Sequence, residues 1–199
     1  MNLPNKLTVF RIILVPIMVI LPFLPIQGEL FNIPYVWILV DIVFIIASIT
    51  DKLDGYLARS RNQITTFGKF LDPIADKILV LAAMTMLVEA GRLPAWIPII
   101  VLFREFIVSG YRLIAVEKSG AVIAASVWGK LKTVTQMVGI GFALVDINRY
   151  GKFLDGSLTG IQLAFNVIST ALLTISVIAT IFSGWDYIKG GKDLLKDSK

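Results

Sequence analysis

Six long apolar stretches, each about the length of a membrane-crossing helix, alternate with short polar connections along the chain. A helix needs roughly 20 mostly apolar residues to cross the hydrocarbon core of a bilayer. The pattern therefore predicts six transmembrane helices, over residues 7–25, 33–57, 70–88, 95–116, 127–145 and 158–182. Arg11 and Pro16 interrupt the first stretch. Because no small-residue cleavage site follows it, we interpret this stretch as a retained helix and not as a signal peptide.

The composition agrees with lipid as the main solvent of the chain. Of the 199 residues, 56% are hydrophobic and only 17% are charged, which is little polar surface for a soluble domain of this length. Cysteine and histidine are absent. Their absence excludes disulfides, zinc sites built on those residues, and any mechanism with a histidine base. We predict one all-α integral membrane domain over residues 1–199, with no nucleic acid as a partner.

Basic residues are distributed unevenly between the two sides of the predicted membrane. Arg92, Arg149 and Lys152 fall on one side, and most other lysines and arginines, including those of the C-terminal tail, fall on the other. Cytoplasmic loops carry an excess of lysine and arginine, so both termini should be cytoplasmic. Trp185 and Tyr187 lie beside the basic tail, where aromatic residues commonly anchor a helix at the membrane interface.

Two pairs of aspartates fall at the cytoplasmic ends of the second and third predicted helices. Asp51 and Asp54 are spaced i, i+3, and Asp72 and Asp76 are spaced i, i+4, so each pair shares one helix face. A short connection should make the two helices antiparallel neighbours and bring the pairs together. Clustered carboxylates repel one another unless cations are bound, and hard divalent ions prefer oxygen ligands. The pattern predicts a metal site suited to displacement at phosphorus; solvated helix-end charges are the simpler alternative.

Small and basic residues accompany these aspartates. Gly55, Ala58 and Gly68 either leave space for a flat ligand group or allow close helix packing, which is common in membranes. Arg59 either binds a phosphate or belongs to the basic residues of a cytoplasmic loop. Taken alone, the residue types leave both alternatives open.

Eight residues between positions 51 and 76 resemble the signature of the CDP-alcohol phosphotransferase family. Their spacing is Asp51-x2-Asp54-Gly55-x2-Ala58-Arg59-x8-Gly68-x3-Asp72-x3-Asp76. The resemblance implies transfer of a phosphorus-containing group from a CDP-linked donor to a hydroxyl, with release of CMP. It implies that the four aspartates bind Mg²⁺ or Mn²⁺, as two ions, and that Asp76 also takes the proton of the acceptor. The site of the cytidine and diphosphate would be lined by Gly55, Ala58, Arg59 and Gly68.

Three further stretches are similar to the branch of this family that uses sn-glycerol 3-phosphate as the acceptor. They are NLPNKLTVFRIILVP at the start, REFIVSGYRLIA in the fourth predicted helix and WGKLKTVTQ in the fifth. The resemblance implies that CDP-diacylglycerol and glycerol 3-phosphate are the substrates, with the site facing the cytoplasm in the cell membrane. Family members commonly form homodimers, which we expect here as well. The alternatives are another acceptor (inositol phosphate, serine or phosphatidylglycerol), a Mg²⁺-dependent prenyltransferase, and a cation transporter.

Four basic residues are candidates to bind the phosphate of such an acceptor. Arg104 and Arg112 lie on similar faces of the fourth predicted helix, and Lys130 and Lys132 begin the fifth. The guanidinium fork suits phosphate, and charge inside an apolar helix is usually functional. An ion pair with Glu105 is the alternative for Arg104, and the general bias of cytoplasmic loops is the alternative for the two lysines.

Other polar and small residues carry weaker predictions. Thr8 and Arg11 open the first helix and are candidates to reach the nucleotide or the acceptor, although Arg11 would otherwise extend to the interface. Asp41 is expected to be exposed near the outer surface. Gly139 and Gly141 are expected to serve helix packing.

Overall fold

In the part of the chain that the structure describes, six long α-helices lie close to the positions of the six apolar stretches. The computed structural model describes residues 2–60, 66–119 and 126–190. The helices are α1 (Leu3–Ile20), α2 (Tyr35–Ser60), α3 (Thr66–Glu89), α4 (Trp96–Ser119), α5 (Val127–Val145) and α6 (Gly160–Gly190). Two-residue strands, β1 (Glu29–Leu30) and β2 (Ile33–Pro34), pair antiparallel between α1 and α2. The prediction of a mostly helical chain is confirmed.

Helix α1 packs against both α2 and α3. Among the described residues, α2 and α3 contact each other less than each of them contacts α1. Met18 of α1, Phe44 of α2 and Leu79 of α3 are buried in one common core. The main partner of the two aspartate-bearing helices is therefore α1, which the hydrophobic pattern did not indicate.

Helices α5 and α6 pack closely along each other. Gly139 is buried, and a Cβ at this position would lie 3.1 Å from Leu172 Cβ and Leu173 Cγ. The predicted packing role of Gly139 is confirmed. A Cβ on Gly141 would instead lie 3.5 Å from Asp41 Oδ1. Asp41 is half-buried, and its Oδ1 is buried with no hydrogen-bond partner in the described part of the chain, so the expected exposure of Asp41 is wrong.

Two of the described helices are long and apolar enough to cross a membrane by length and composition. These segments are Asn5–Phe23 and Gly160–Lys189. The number of spans and the orientation of the termini stay predictions. Helix α6 continues beyond the predicted end at residue 182 and reaches Gly190, which places Ser183 and Tyr187 on the same helix as the apolar stretch.

Candidate active site

An arginine from α1 holds the first aspartate of the motif. Arg11 Nη1 lies 2.7 Å from Asp51 Oδ1; the Arg11 side chain is fully buried, whereas the Asp51 side chain is 33% exposed. A buried guanidinium needs a counter-charge nearby, because an isolated charge is costly away from water. The alternative that Arg11 extends to the membrane interface is therefore wrong. Thr8, one helical turn earlier on the same face of α1, is also buried.

Asp76 lies in the wall of a cavity between α3, α4 and α5. The cavity has a volume of about 170 Å³ and is mostly apolar, with Asp76, Lys77, Glu105 and Lys132 as its charged lining residues. Lys77 is directed toward α4, where its Nζ donates to Ser109 Oγ at 2.6 Å. Asp76 therefore faces open space beside both acidic and basic groups.

Four charged side chains lie near enough to Asp76 to act on its carboxylate. They come from α1, α2, α4 and α5, and are Arg11, Asp51, Glu105 and Lys132. The structure thus brings the first and last aspartates of the motif into one electrostatic environment, together with two cations. Residues from five helices contribute to this region, which explains why no single stretch of sequence defines it.

The other motif residues have side chains outside the described ones. Helix α2 includes Asp54, Gly55, Ala58 and Arg59, and helix α3 includes Gly68 and Asp72. Their roles as metal ligands or nucleotide-binding residues stay predictions.

Glu105 links two of the predicted basic residues. Its Oε1 accepts hydrogen bonds from Arg104 Nη1 at 2.8 Å and from Lys132 Nζ at 2.7 Å. All three side chains are largely buried, so the ion pair proposed as the alternative for Arg104 is present. Glu105 had no predicted site role of its own. Its place inside an apolar helix, where charge is usually functional, was the sequence signal for a role, but the adjacent Arg104 also fitted a simple ion pair.

The C-terminal part of α6 extends this cluster. Arg104 Nη2 donates to Ser183 Oγ at 2.6 Å, and Arg112 Nη2 donates to Tyr187 Oη at 2.7 Å. Arg104 Cζ and Arg112 Cζ also lie 5.8 and 5.5 Å from the centroid of the Tyr187 ring, within the range of cation–π attraction. Tyr187 is only 5% exposed, so its predicted role as an interfacial anchor is wrong. Trp185 is exposed.

Among the described residues, the four basic candidates for the acceptor phosphate do not form one pocket. Of the four, Lys132 lines the cavity. Lys130 is exposed and faces away from Lys132, because residues two apart on a helix are rotated by about 200°. Arg112 is also exposed, and Arg104 is directed toward Glu105 and α6.

The described carboxylates fit the donor chemistry of a hard divalent cation. Asp51 and Asp76 offer oxygen ligands of the kind that Mg²⁺ and Mn²⁺ prefer, and they lie within electrostatic reach of each other. Within the described residues no group of three or more potential metal ligands occurs; the side chains of Asp54 and Asp72 lie outside them. The two described aspartates are thus compatible with a metal site that the other two would complete.

Comparisons with known proteins agree with this arrangement. The sequence profile of the CDP-alcohol phosphatidyltransferase family matches residues 1–182. The chain belongs to this family.

Relatives in bacteria are similar over nearly the whole chain. A protein of Bacillus subtilis (strain 168) is 40% identical over 99% of this chain and 98% of its own length; it is named CDP-diacylglycerol–glycerol-3-phosphate 3-phosphatidyltransferase. Proteins of the same name from Haemophilus influenzae (strain ATCC 51907 / DSM 11121 / KW20 / Rd) and Rickettsia bellii (strain RML369-C) are 39% and 34% identical. These alignments cover 99% and 96% of this chain, and 97% and 96% of the two relatives.

Proposed function

We propose that this protein transfers the phosphatidyl group of CDP-diacylglycerol to a hydroxyl of sn-glycerol 3-phosphate, giving phosphatidylglycerophosphate and CMP. The observation that carries the proposal is the similarity, over nearly the full chain, to three proteins named for this activity. The complete eight-residue signature between Asp51 and Asp76 supports the same reaction class.

The reaction displaces CMP at the phosphorus atom that bears the diacylglycerol. The acceptor hydroxyl oxygen forms a bond to this phosphorus, and the bond from phosphorus to the CMP oxygen breaks, with its electron pair leaving on CMP. The hydroxyl proton passes to the Asp76 carboxylate, which must lie within hydrogen-bond reach of the acceptor. Two observations favour Asp76 as the base: the chain has no histidine, and Asp76 lines the cavity.

The four aspartates of the motif would hold Mg²⁺ or Mn²⁺, as two ions. Such ions, when bound, neutralise the diphosphate and stabilise CMP as the leaving group. Arg11 contributes from the protein side, because its contact with Asp51 Oδ1 fixes the orientation of that carboxylate. Gly55, Ala58, Arg59 and Gly68 are proposed to contact the cytidine and diphosphate, and Thr8 is proposed to reach the nucleotide or the acceptor.

Lys132 is the best-placed cation for the phosphate of the acceptor, since it shares the cavity with the proposed base. Arg112 and Lys130 are exposed, so their charges would attract an anionic acceptor from solvent rather than enclose it. Arg104 is directed away from the cavity and supports the site through Glu105.

We also propose that six helices cross the cell membrane, with both termini and the aspartates on the cytoplasmic side. The excess of lysine and arginine on that side supports this orientation. In this arrangement the acyl chains of the donor stay in lipid while cytidine and glycerol phosphate stay in water. A homodimer is proposed on the family resemblance.

Release of CMP by detergent-purified protein tests the proposed reaction. CDP-diacylglycerol is supplied with glycerol 3-phosphate, inositol 1-phosphate, serine or phosphatidylglycerol, each with Mg²⁺ and with chelator. We expect metal-dependent release with glycerol 3-phosphate alone. Release with a different acceptor would overturn the acceptor assignment. No release with any acceptor would overturn the transferase, and prenyl diphosphate turnover and Mg²⁺ flux would then be measured.

A further inference from the structure

Glu105 stands in the middle of a series of polar contacts that ends at the proposed reaction site. The series begins at Ser183 of α6, which accepts from Arg104 at 2.6 Å. It continues from Arg104 to Glu105 at 2.8 Å and from Glu105 to Lys132 at 2.7 Å. Lys132 then lines the cavity together with Asp76. These contacts connect α6, α4 and α5 on the side of the cavity that faces Asp76 of α3.

The Arg104 side chain is directed toward Glu105 and away from the cavity. It passes between two glycines: a Cβ on Gly129 of α5 would lie 3.3 Å from Arg104 Nη2, and one on Gly184 of α6 would lie 3.6 Å from Arg104 Cγ. The guanidinium is directed to Glu105 and Ser183. The cavity lining includes Glu105 but not Arg104.

Lys132 needs a partner to be held at the cavity. A lysine ammonium is a flexible point charge on a four-carbon stem, and the Lys132 side chain is largely buried. A buried ammonium requires a counter-charge and defined hydrogen bonds. Among the described residues, the contact that supplies both is Glu105 Oε1.

We propose that Glu105 is a positioning residue for the acceptor, which holds Lys132 Nζ on the cavity wall beside Asp76, where it meets the phosphate of glycerol 3-phosphate. Arg104 and Ser183 fix Glu105 from the opposite side. This inference rests on the proposed function. If Glu105 acted only through its charge, removing that charge would strengthen binding of the acceptor, because a carboxylate next to an anionic acceptor repels it.

Two substitutions separate position from charge. Glu105→Gln removes the negative charge at nearly constant shape, and Glu105→Asp keeps the charge on a shorter side chain. We expect each to raise the KM for glycerol 3-phosphate by roughly tenfold, while the KM for CDP-diacylglycerol changes by less than about twofold. The inference is overturned if Glu105→Gln lowers the KM for glycerol 3-phosphate, or if Glu105→Asp leaves it unchanged. Glu89→Gln, at the exposed end of α3, is the matched control and should behave as wild type.

A double-mutant cycle adds a readout that a merely structural role would not move. If Glu105 acts through Lys132, then Glu105→Asp has no further effect on the KM for glycerol 3-phosphate in a Lys132→Met background. Effects that multiply would overturn the inference. Should both Glu105 variants fail to fold, Ser183→Ala removes only the hydroxyl that accepts from Arg104. It should raise the same KM by about threefold, and an unchanged KM would overturn the inference.

The two levels of the proposal fail in different ways. A wild-type protein that releases no CMP with glycerol 3-phosphate overturns the proposed function. An active wild type whose Glu105 and Ser183 variants keep the KM for glycerol 3-phosphate overturns the positioning role alone.

Discussion

Two acids near opposite ends of α5, the buried Asp146 and the half-buried Glu105, have different hydrogen-bond partners. Asp146, at the C-terminal end, accepts hydrogen bonds from neutral donors: its Oδ1 accepts from Asn148 N and Nδ2, and its Oδ2 accepts from Asn166 Nδ2 and Ser169 Oγ, at 2.7–3.1 Å. Glu105, beside the N-terminal part of α5, is paired with two cations and borders a cavity. Asp146 has its hydrogen-bonding capacity used within the protein, whereas the Glu105 cluster includes a cation that also faces open space.

At the C-terminal end of α5, near Asp146, the connection before α4 contacts the connection before α6. Arg92 Nη1 donates to the Leu144 carbonyl at 3.0 Å, and its guanidinium lies 4.0 Å from the centroid of the Trp37 ring. Burial lowers the pKa of Arg92 to about 10, and the nearby Asp146 carboxylate opposes that shift. The Tyr150 N–H donates to the Arg92 carbonyl at 2.9 Å. The comparison indicates different roles for the two acids. Asp146, which is hydrogen-bonded by neutral donors, stabilises the fold, whereas Glu105, which is paired with cations beside a cavity, belongs to the candidate active site.

The largest expected effect of a substitution is a loss of catalytic activity at the cavity end of α5. Asp76→Asn should lower CMP release by about 10²–10⁴-fold, the usual contribution of a general base, with the unfolding temperature unchanged. The rate is measured with purified protein, CDP-diacylglycerol and glycerol 3-phosphate. An Asp76→Asn protein that keeps its activity would remove the proposed base.

Loss of the acid at the other end should affect stability instead. Asp146→Ala removes the carboxylate that accepts from Asn166 Nδ2 and Ser169 Oγ, and leaves these donors only the Arg149 and Asn166 carbonyls at 3.0 and 3.2 Å. The loss of these buried hydrogen bonds should cost roughly 3 kcal/mol of unfolding free energy. Chemical unfolding in detergent measures this loss, and CMP release is assayed below the unfolding transition. Loss of activity in the folded variant would show that the two ends are not separate in role.

The Arg11–Asp51 pair is expected to contribute both to activity and to stability. Asp51→Asn removes the negative charge that lies 2.7 Å from the fully buried Arg11 guanidinium, so it should lose activity and about 2 kcal/mol of stability. Adding Arg11→Gln should recover part of the stability and none of the activity. Full recovery of activity in the double variant would contradict a direct role for Asp51.

Crowding between α5 and α6 should give the smallest effect. Gly139→Ala places a Cβ 3.1 Å from two leucine atoms, which should cost roughly 1–2 kcal/mol. KM values should stay at the wild-type level because the change lies away from the cavity. A raised KM for glycerol 3-phosphate would mean that α5 packing transmits to the site.

The apolar pattern predicted the helices well because both the exposed and the buried residues of these helices are largely apolar, so the length of each apolar stretch marks a helix. The pattern could not predict that α1 packs against α2 and α3, since partner choice depends on side chains distant in sequence. It ended the last helix too early because Ser183 and Tyr187 are polar, although both are buried by contacts with α4.

Part of the candidate site could be predicted from the sequence. Asp51 and Asp76 follow a fixed spacing, and charge inside an apolar helix indicated Arg104. Glu105 was harder to interpret because an acid next to a base suggests a simple ion pair, and its second partner, Lys132, lies on another helix. The sequence did not indicate a role for Asp146, because its hydrogen-bond partners are neutral asparagine and serine residues, which are common in any protein.

Isotopic labelling of the acceptor hydroxyls follows the proposed bond formation atom by atom. CDP-diacylglycerol and sn-glycerol 3-phosphate labelled with ¹⁸O in its hydroxyl groups are incubated with wild-type protein and Mg²⁺, and the products are identified by mass spectrometry. The account predicts phosphatidylglycerophosphate that retains the label in its new phosphodiester, together with unlabelled CMP. Phosphatidic acid with a cytidylylated acceptor, or loss of the label from the lipid product, would contradict it.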